Sequence, residues 1–192
     1  MRSDMDKPVR IYLVRHAKTA EPWRTALDAP LSAEGLEQAG RVAKELCPLG
    51  PLPLLSSPLQ RARQTAAPLA DLWQTEVKIE PHVREIPAPS ADPRVRGDWL
   101  MRILTAKWSE MDVELVKWRD DVLDAISAIH KDTIVVTHYV VINAVVGAAT
   151  NDDRVISFHP DNTDTTVIDK ACDGLSVAGY TLKDVSDPAL VT

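Results

Sequence analysis

Apolar positions along this 192-residue chain follow two rhythms. Short runs rich in β-branched residues, Val9 to Val14 and Thr133 to Thr137, predict strands, the latter the clearest buried strand in the chain, and Leu54 to Ser56 reads as a further short one. Longer stretches repeat apolar residues every three or four positions and predict helices. Ser32 caps one through about Cys47, placing Leu36, Ala39, Val42, Ala43 and Leu46 on the face toward the sheet. A second runs from about Leu59 to Trp73, with Pro68 an expected kink or local distortion. Val77 to Ile79 reads as a further strand. The three prolines between Ile86 and Pro93 make that stretch a loop. The stripe Leu100, Leu104, Trp108, Met111, Leu115 and Val122 then predicts one or two helices between about Val95 and Ile129. Tyr139 to Ala149 is a helix fed by the strand before it. Thr165 to Ile168 and Ser176 to Thr181 are expected as late strands around Asp173-Gly174. Strands and helices alternate throughout, which predicts an α/β sandwich with right-handed crossovers.

Composition narrows the class. With 45% hydrophobic and 26% charged residues, the chain has the balance of a globular protein, and its length fits a single domain over residues 1–192. Met1 to Lys7 is polar and no segment approaches membrane-span length, so a cytoplasmic location without membrane attachment is expected. Cys47 and Cys172 are too few for a disulfide framework and read as ordinary, partly buried thiols. A net charge of −6 argues against nucleic acid as a partner. An anionic substrate would need a local cationic pocket.

Such a pocket is signalled by Arg15-His16, which should emerge at the carboxyl end of the first strand, where open α/β sheets bind ligands. Three more pieces of matching chemistry follow: Ser57-Pro58-Leu59-Gln60-Arg61, Arg84-Glu85-Ile86 and Val136-Thr137-His138. A neutral imidazole is nucleophilic without a separate base, and guanidinium groups grip phosphate oxygens. Together these point to phosphoryl transfer.

The segments LVRHAKT (13–19), SSPLQRARQTA (56–66), REI (84–86) and VVTHYVVINAV (135–145), in that order, resemble the histidine phosphatase superfamily, in its larger, mostly intracellular branch. Weaker matches at Pro30 to Gly35 and at Asp161-Asn162-Thr163 extend the resemblance over nearly the whole chain. It implies a phosphoglycerate-mutase-like, three-layer sandwich with a mostly parallel central sheet. It also implies His16 as nucleophile, Glu85 as proton donor and then base, His138 as the second pocket histidine, and Arg15 and Arg61 on the phosphate. His138 would stabilise the transition state either as imidazolium or as a neutral donor. Crowding by anionic oxygens should raise the Glu85 pKa and suit its acid role; Asp92 is the fallback acid.

The chain also departs from the family. Glycines common after both histidines are replaced by Ala17 and Tyr139-Val140, and Lys18 stands where related enzymes carry an acidic residue. Lys18, Thr19 and Tyr139 are therefore candidate substrate contacts: Tyr139 either narrows the pocket or touches substrate, and Lys18 either adds charge or is solvated. Trp99 and Trp108 are read as core in preference to pocket, and His82, His130 and His159 as surface or core residues without a role. No metal and no cofactor are expected, because guanidinium beside a divalent cation is electrostatically costly. The reading is a phosphatase acting on a small phosphorylated metabolite; the rivals are a phosphoglycerate-mutase-like phosphotransferase and a catalytically weak phospho-ligand-binding module. The leaving group and the oligomeric state stay open.

Overall fold

The computed structural model describes residues 7–23 and 25–184. A six-stranded sheet carries the strands in the order β3-β2-β4-β1-β5-β6. The strands are β1 (Val9–Arg15), β2 (Leu54–Ser56), β3 (Lys78–Ile79), β4 (Thr133–Thr137), β5 (Thr165–Ala171) and β6 (Gly174–Gly179). The first four run parallel, while β5 pairs antiparallel with both β1 and β6. The helices are α1 (Ala33–Leu46), α2 (Gln60–Trp73), α3 (Pro93–Ile103), α4 (Val113–Ser127) and α5 (Tyr139–Thr150).

The two-residue period of the strands divides the core into layers. Tyr12, Val14, Ile134 and Val136 face a cluster with Val42, Leu46, Ala66 and Leu69 of α1 and α2. Ile11, Leu13 and Val135 face the opposite way, against Val122 and Ile126 of α4 and Ile142 and Val145 of α5. Both faces of the central strands are dry, as their unbroken apolar runs require. A third cluster joins Ile86, Trp99, Ile103, Trp108 and Val140 at the carboxyl end of the sheet.

Several local expectations are corrected. Leu36, expected on the buried face of α1, is 54% exposed, because the helix turns Gly35, Ala39, Val42, Ala43 and Leu46 inward instead. The stripe from Leu100 to Val122 is broken into α3 and α4 by a 3-10 turn at Trp108–Glu110, so Trp108 is buried without being part of a long helix. Cys172 is exposed, at the hairpin between β5 and β6. Met1 to Asp6, most of the polar amino-terminal segment, lie outside the described residues.

Parallel pairing carries the chemistry to one edge. Arg15 lies opposite Thr137, and Ser56 opposite Val136, so the residues that follow these strands, His16, His138 and Ser57, leave the sheet side by side. The loop after β1 is fixed by α1: Ser32 N–H donates to the Lys18 carbonyl at 3.0 Å, and a Cβ at Gly35 would lie 2.0 Å from that same oxygen. Only glycine permits this approach. Gly35→Ala should therefore destabilise the protein by about 1–3 kcal/mol, read as a lower urea midpoint; an unchanged midpoint would mean that the loop yields freely.

Candidate functional site

His16 is held through both its backbone and its ring. Its backbone N–H donates to Thr137 O at 2.9 Å, and its carbonyl accepts from Asn162 Nδ2 at 2.8 Å. The turn that brings Asn162 there contains Thr163 at φ +67, a left-handed conformation that costs a β-branched residue about 1–2 kcal/mol. On the ring, Nδ1 lies 2.8 Å from Ala17 O, and Arg61 Nε lies 3.2 Å from Nε2. A carbonyl only accepts and a guanidinium only donates, so both partners require the same neutral tautomer, with the proton on Nδ1 and the lone pair on Nε2. Burial, followed by the field of Arg61, lowers the His16 pKa to about 3, with a smaller push from Arg15. The ring is neutral at physiological pH.

The two arginines are held by acceptors that leave part of each guanidinium unspent. Arg61, on the first turn of α2, is 2% exposed, which rules out the solvated reading; it donates to Leu27 O and lies 4.0 Å from Asp28. The first free amide of α2, that of Gln60, is already taken by Asp28 Oδ1. Arg15 donates to Pro160 O at 2.8 Å, and its Cζ lies 5.0 Å from the centre of the Tyr139 ring. Its buried Nε has no hydrogen-bond partner among the described residues.

His138 is fully buried, its ring 5.2 Å from that of His16. Nε2 meets Ser57 Oγ at 2.7 Å, and that hydroxyl also accepts from Leu59 N–H. With Ser57 donating its own proton to Nε2, the ring proton sits on Nδ1, which is buried with no partner among the described residues and is a spare donor. Burial, then the adjoining His16 ring and the arginines Arg61, Arg84 and Arg15, hold the His138 pKa well below its usual value, which favours the neutral donor over imidazolium. Glu85 follows a segment anchored by the bond from Thr137 Oγ1 to Val83 O. Its carboxyl accepts from Ile86 N–H, yet desolvation outweighs that bond and both arginines, and its pKa is raised.

These groups open into a cavity of about 390 Å³ lined by Arg15, His16, Arg61, Glu85 and Asn162 together with Lys18, Thr19 and Tyr139. His138 lies beneath it, absent from the lining. Lys18 is exposed and paired with Glu34, which offsets its charge at the cavity. The Thr19 hydroxyl donates to Glu21 O at 2.7 Å. Tyr139 narrows the cavity over Arg15, and its hydroxyl meets His159 Nδ1. His159 thus has a structural partner that its sequence did not signal. Trp99 and Trp108 are core, whereas Trp23, Leu100 and Leu104 line the cavity. Asp92 caps α3 through Arg94 N–H.

The sequence model of the histidine phosphatase superfamily (branch 1) matches residues 11–182. The chain belongs to this family. Its fold is shared with a mycobacterial glucosyl-3-phosphoglycerate phosphatase bound to VO3, at TM-score 0.71 and 21% identity over 90% of this chain and 99% of that one. A phosphoserine phosphatase of Entamoeba histolytica in complex with phosphoserine gives TM-score 0.72 and 19% identity, over 91% and 97%. In sequence, the probable phosphoglycerate mutase GpmB of Enterobacter sp. (strain 638) is 34% identical over 84 residues, 41% of this chain and 38% of that protein. The chain thus spans under half the length of such relatives. Among the described residues, no helix is long and apolar enough to cross a membrane, and no three His, Cys, Asp or Glu side chains are disposed to hold a metal ion.

The buried imidazole has a consequence for stability. An unfolded His16 takes up its proton near pH 6.5, the folded one only near pH 3. Between those values the unfolded chain holds the extra proton, so stability is complete above pH 6.5 and is lost as pH falls, at about 1.4 kcal/mol per pH unit. His16→Gln should therefore flatten the dependence of unfolding free energy on pH between 6 and 4 by about one proton, measured by urea titration. An unchanged slope would mean that His16 titrates normally in the fold.

Proposed function

We propose that the protein is a metal-independent phosphatase that hydrolyses a phosphomonoester through a phosphohistidine at His16. The observation that carries this reading is the double constraint on the His16 ring: Nδ1 is bound to a backbone carbonyl, and the Nε2 lone pair accepts from Arg61 Nε–H, a bond that the guanidinium exchanges for the substrate phosphate before attack. A nucleophile in that state needs no activating base.

In the first step Nε2 attacks phosphorus, the bond from phosphorus to the ester oxygen breaks, and protonated Glu85 gives its proton to the departing alcohol. Nδ1 keeps its proton on Ala17 O throughout, so the intermediate is a phosphorylated imidazolium. In the second step water attacks phosphorus, Glu85 takes back a proton, and Nε2 leaves as the neutral ring. The equatorial oxygens are met by Arg15, Arg61 and the spare Nδ1–H of His138, donors fixed before substrate arrives. With two guanidinium groups at the phosphate, a divalent cation would meet repulsion, and the charge on phosphorus needs none.

The raised Glu85 pKa supports the acid role, because a carboxyl in the ordinary range would be ionised at neutral pH. A mutase would hand the phosphoryl group to a second hydroxyl, and stoichiometric release of phosphate with the alcohol separates the two readings. His16→Ala should lower kcat/KM by more than the ~10²- to 10⁴-fold typical of losing an acid or base, with activity unaffected by chelator. Glu85→Gln should slow phosphoenzyme formation from alkyl phosphates far more than from p-nitrophenyl phosphate, whose leaving group needs little protonation. Near-normal turnover by folded His16→Ala, or activity lost to chelator and restored by zinc or magnesium, would overturn the proposal.

A further inference from the structure

The cavity has two unlike halves. One holds the cations and titratable groups; the other is the surface of the third core cluster. Ile86 and Val140 belong to that cluster, Trp23, Leu100, Leu104 and Tyr139 pack against it, and all six line the cavity. Trp23 is fixed by its neighbours, with the Trp99 ring centre 6.2 Å away and the Arg96 guanidinium 5.5 Å from its own. The wall is therefore a preformed apolar surface.

Each polar group beside it already has a partner within the protein. Thr19 Oγ1 donates to Glu21 O, Asn162 Nδ2 to His16 O, and Lys18 is paired with Glu34. Glu21 adds negative charge to the lining. A leaving group bearing a carboxylate or several hydroxyls would find few unspent partners, and hydroxyls set against an apolar wall lose hydrogen bonds to water without replacement. At about 390 Å³ the cavity falls within the range of drug-sized ligand sites. There is room beside a phosphoryl group for a sizeable alcohol.

Building on the phosphatase reading, we infer that the leaving group is an apolar alcohol, alkyl or aromatic, seated against Trp23, Leu100 and Leu104. The substrate class is then a phosphomonoester of a hydrophobic alcohol, in contrast to the phosphoserine held by the Entamoeba phosphatase of the same fold. The wall discriminates by contact area, the cradle only by phosphate.

The test is a rate comparison over propyl, pentyl and heptyl phosphate, with phosphoserine and 3-phosphoglycerate. The alkyl members have leaving groups of nearly equal basicity, so differences report contact and not chemistry. kcat/KM should rise about fourfold per methylene, roughly two orders of magnitude from propyl to heptyl, and heptyl phosphate should exceed both carboxylates by at least tenfold. Leu104→Lys and Trp23→Ala should each flatten the series, lowering the heptyl-to-propyl ratio of kcat/KM tenfold or more, with a wild-type-like urea midpoint showing that the variants fold. A flat or falling alkyl series, a preference for the carboxylates, or variants that keep the wild-type slope would overturn the inference and leave the phosphatase reading standing. Absence of phosphate release from every member would overturn that reading itself.

Discussion

Everything at the site depends on where one proton sits. The Ala17 carbonyl holds it on Nδ1 of His16, and Arg61 requires a lone pair on the opposite nitrogen. Neither partner can exchange roles, so the tautomer is fixed by chemistry and not by pH. The fold serves that arrangement from three sides: β4 supplies the acceptor for the His16 amide, Asn162 the donor for its carbonyl, and α1 closes on the following loop at Gly35.

The same pocket is electrostatically costly. Arg61 is almost wholly buried, and burial lowers its pKa, while Glu85 and Asp28 offset part of that cost. Glu85 is not drawn fully into the ionised form by the arginines, since its own desolvation is the larger effect. The result is a neutral base, a carboxyl inclined to hold its proton, and two cations in one small volume. Among the described residues, Arg15 Nε and His138 Nδ1 remain buried without partners. Such groups destabilise a fold on their own, by about 1–3 kcal/mol each; in the proposed mechanism they are donors for the oxygens of an anion.

Much of this was legible in the sequence because it rests on local signals. The run ending at Arg15-His16, the run ending at His138, and the segment around Arg61 each announce a strand or helix terminus, and parallel register alone then brings them together. What escaped was set by tertiary contact. Leu36 has the spacing of a core residue but sits where α1 turns toward solvent. Trp23, Leu100 and Leu104 come from a loop and a helix with no motif, and only packing against Ile86 and Val140 makes them a cavity wall. Ser57 and Thr65 lay inside a quoted motif without an assigned role; in the fold Ser57 meets His138 and Thr65 receives the Ala17 amide. Tyr139 and His159, twenty residues apart, meet because α5 and the loop preceding β5 converge on Arg15.

The central claim is that Nε2 of His16 carries the phosphoryl group. Protein mixed with a phosphorus-labelled alkyl phosphate and quenched within milliseconds in alkaline detergent should hold label in one peptide, that containing His16. The label should survive base and be lost in acid, as a phosphoramidate is. Its appearance should precede free phosphate and vanish in His16→Gln. Hydrolysis with no such transient, or label on another residue, would contradict the account.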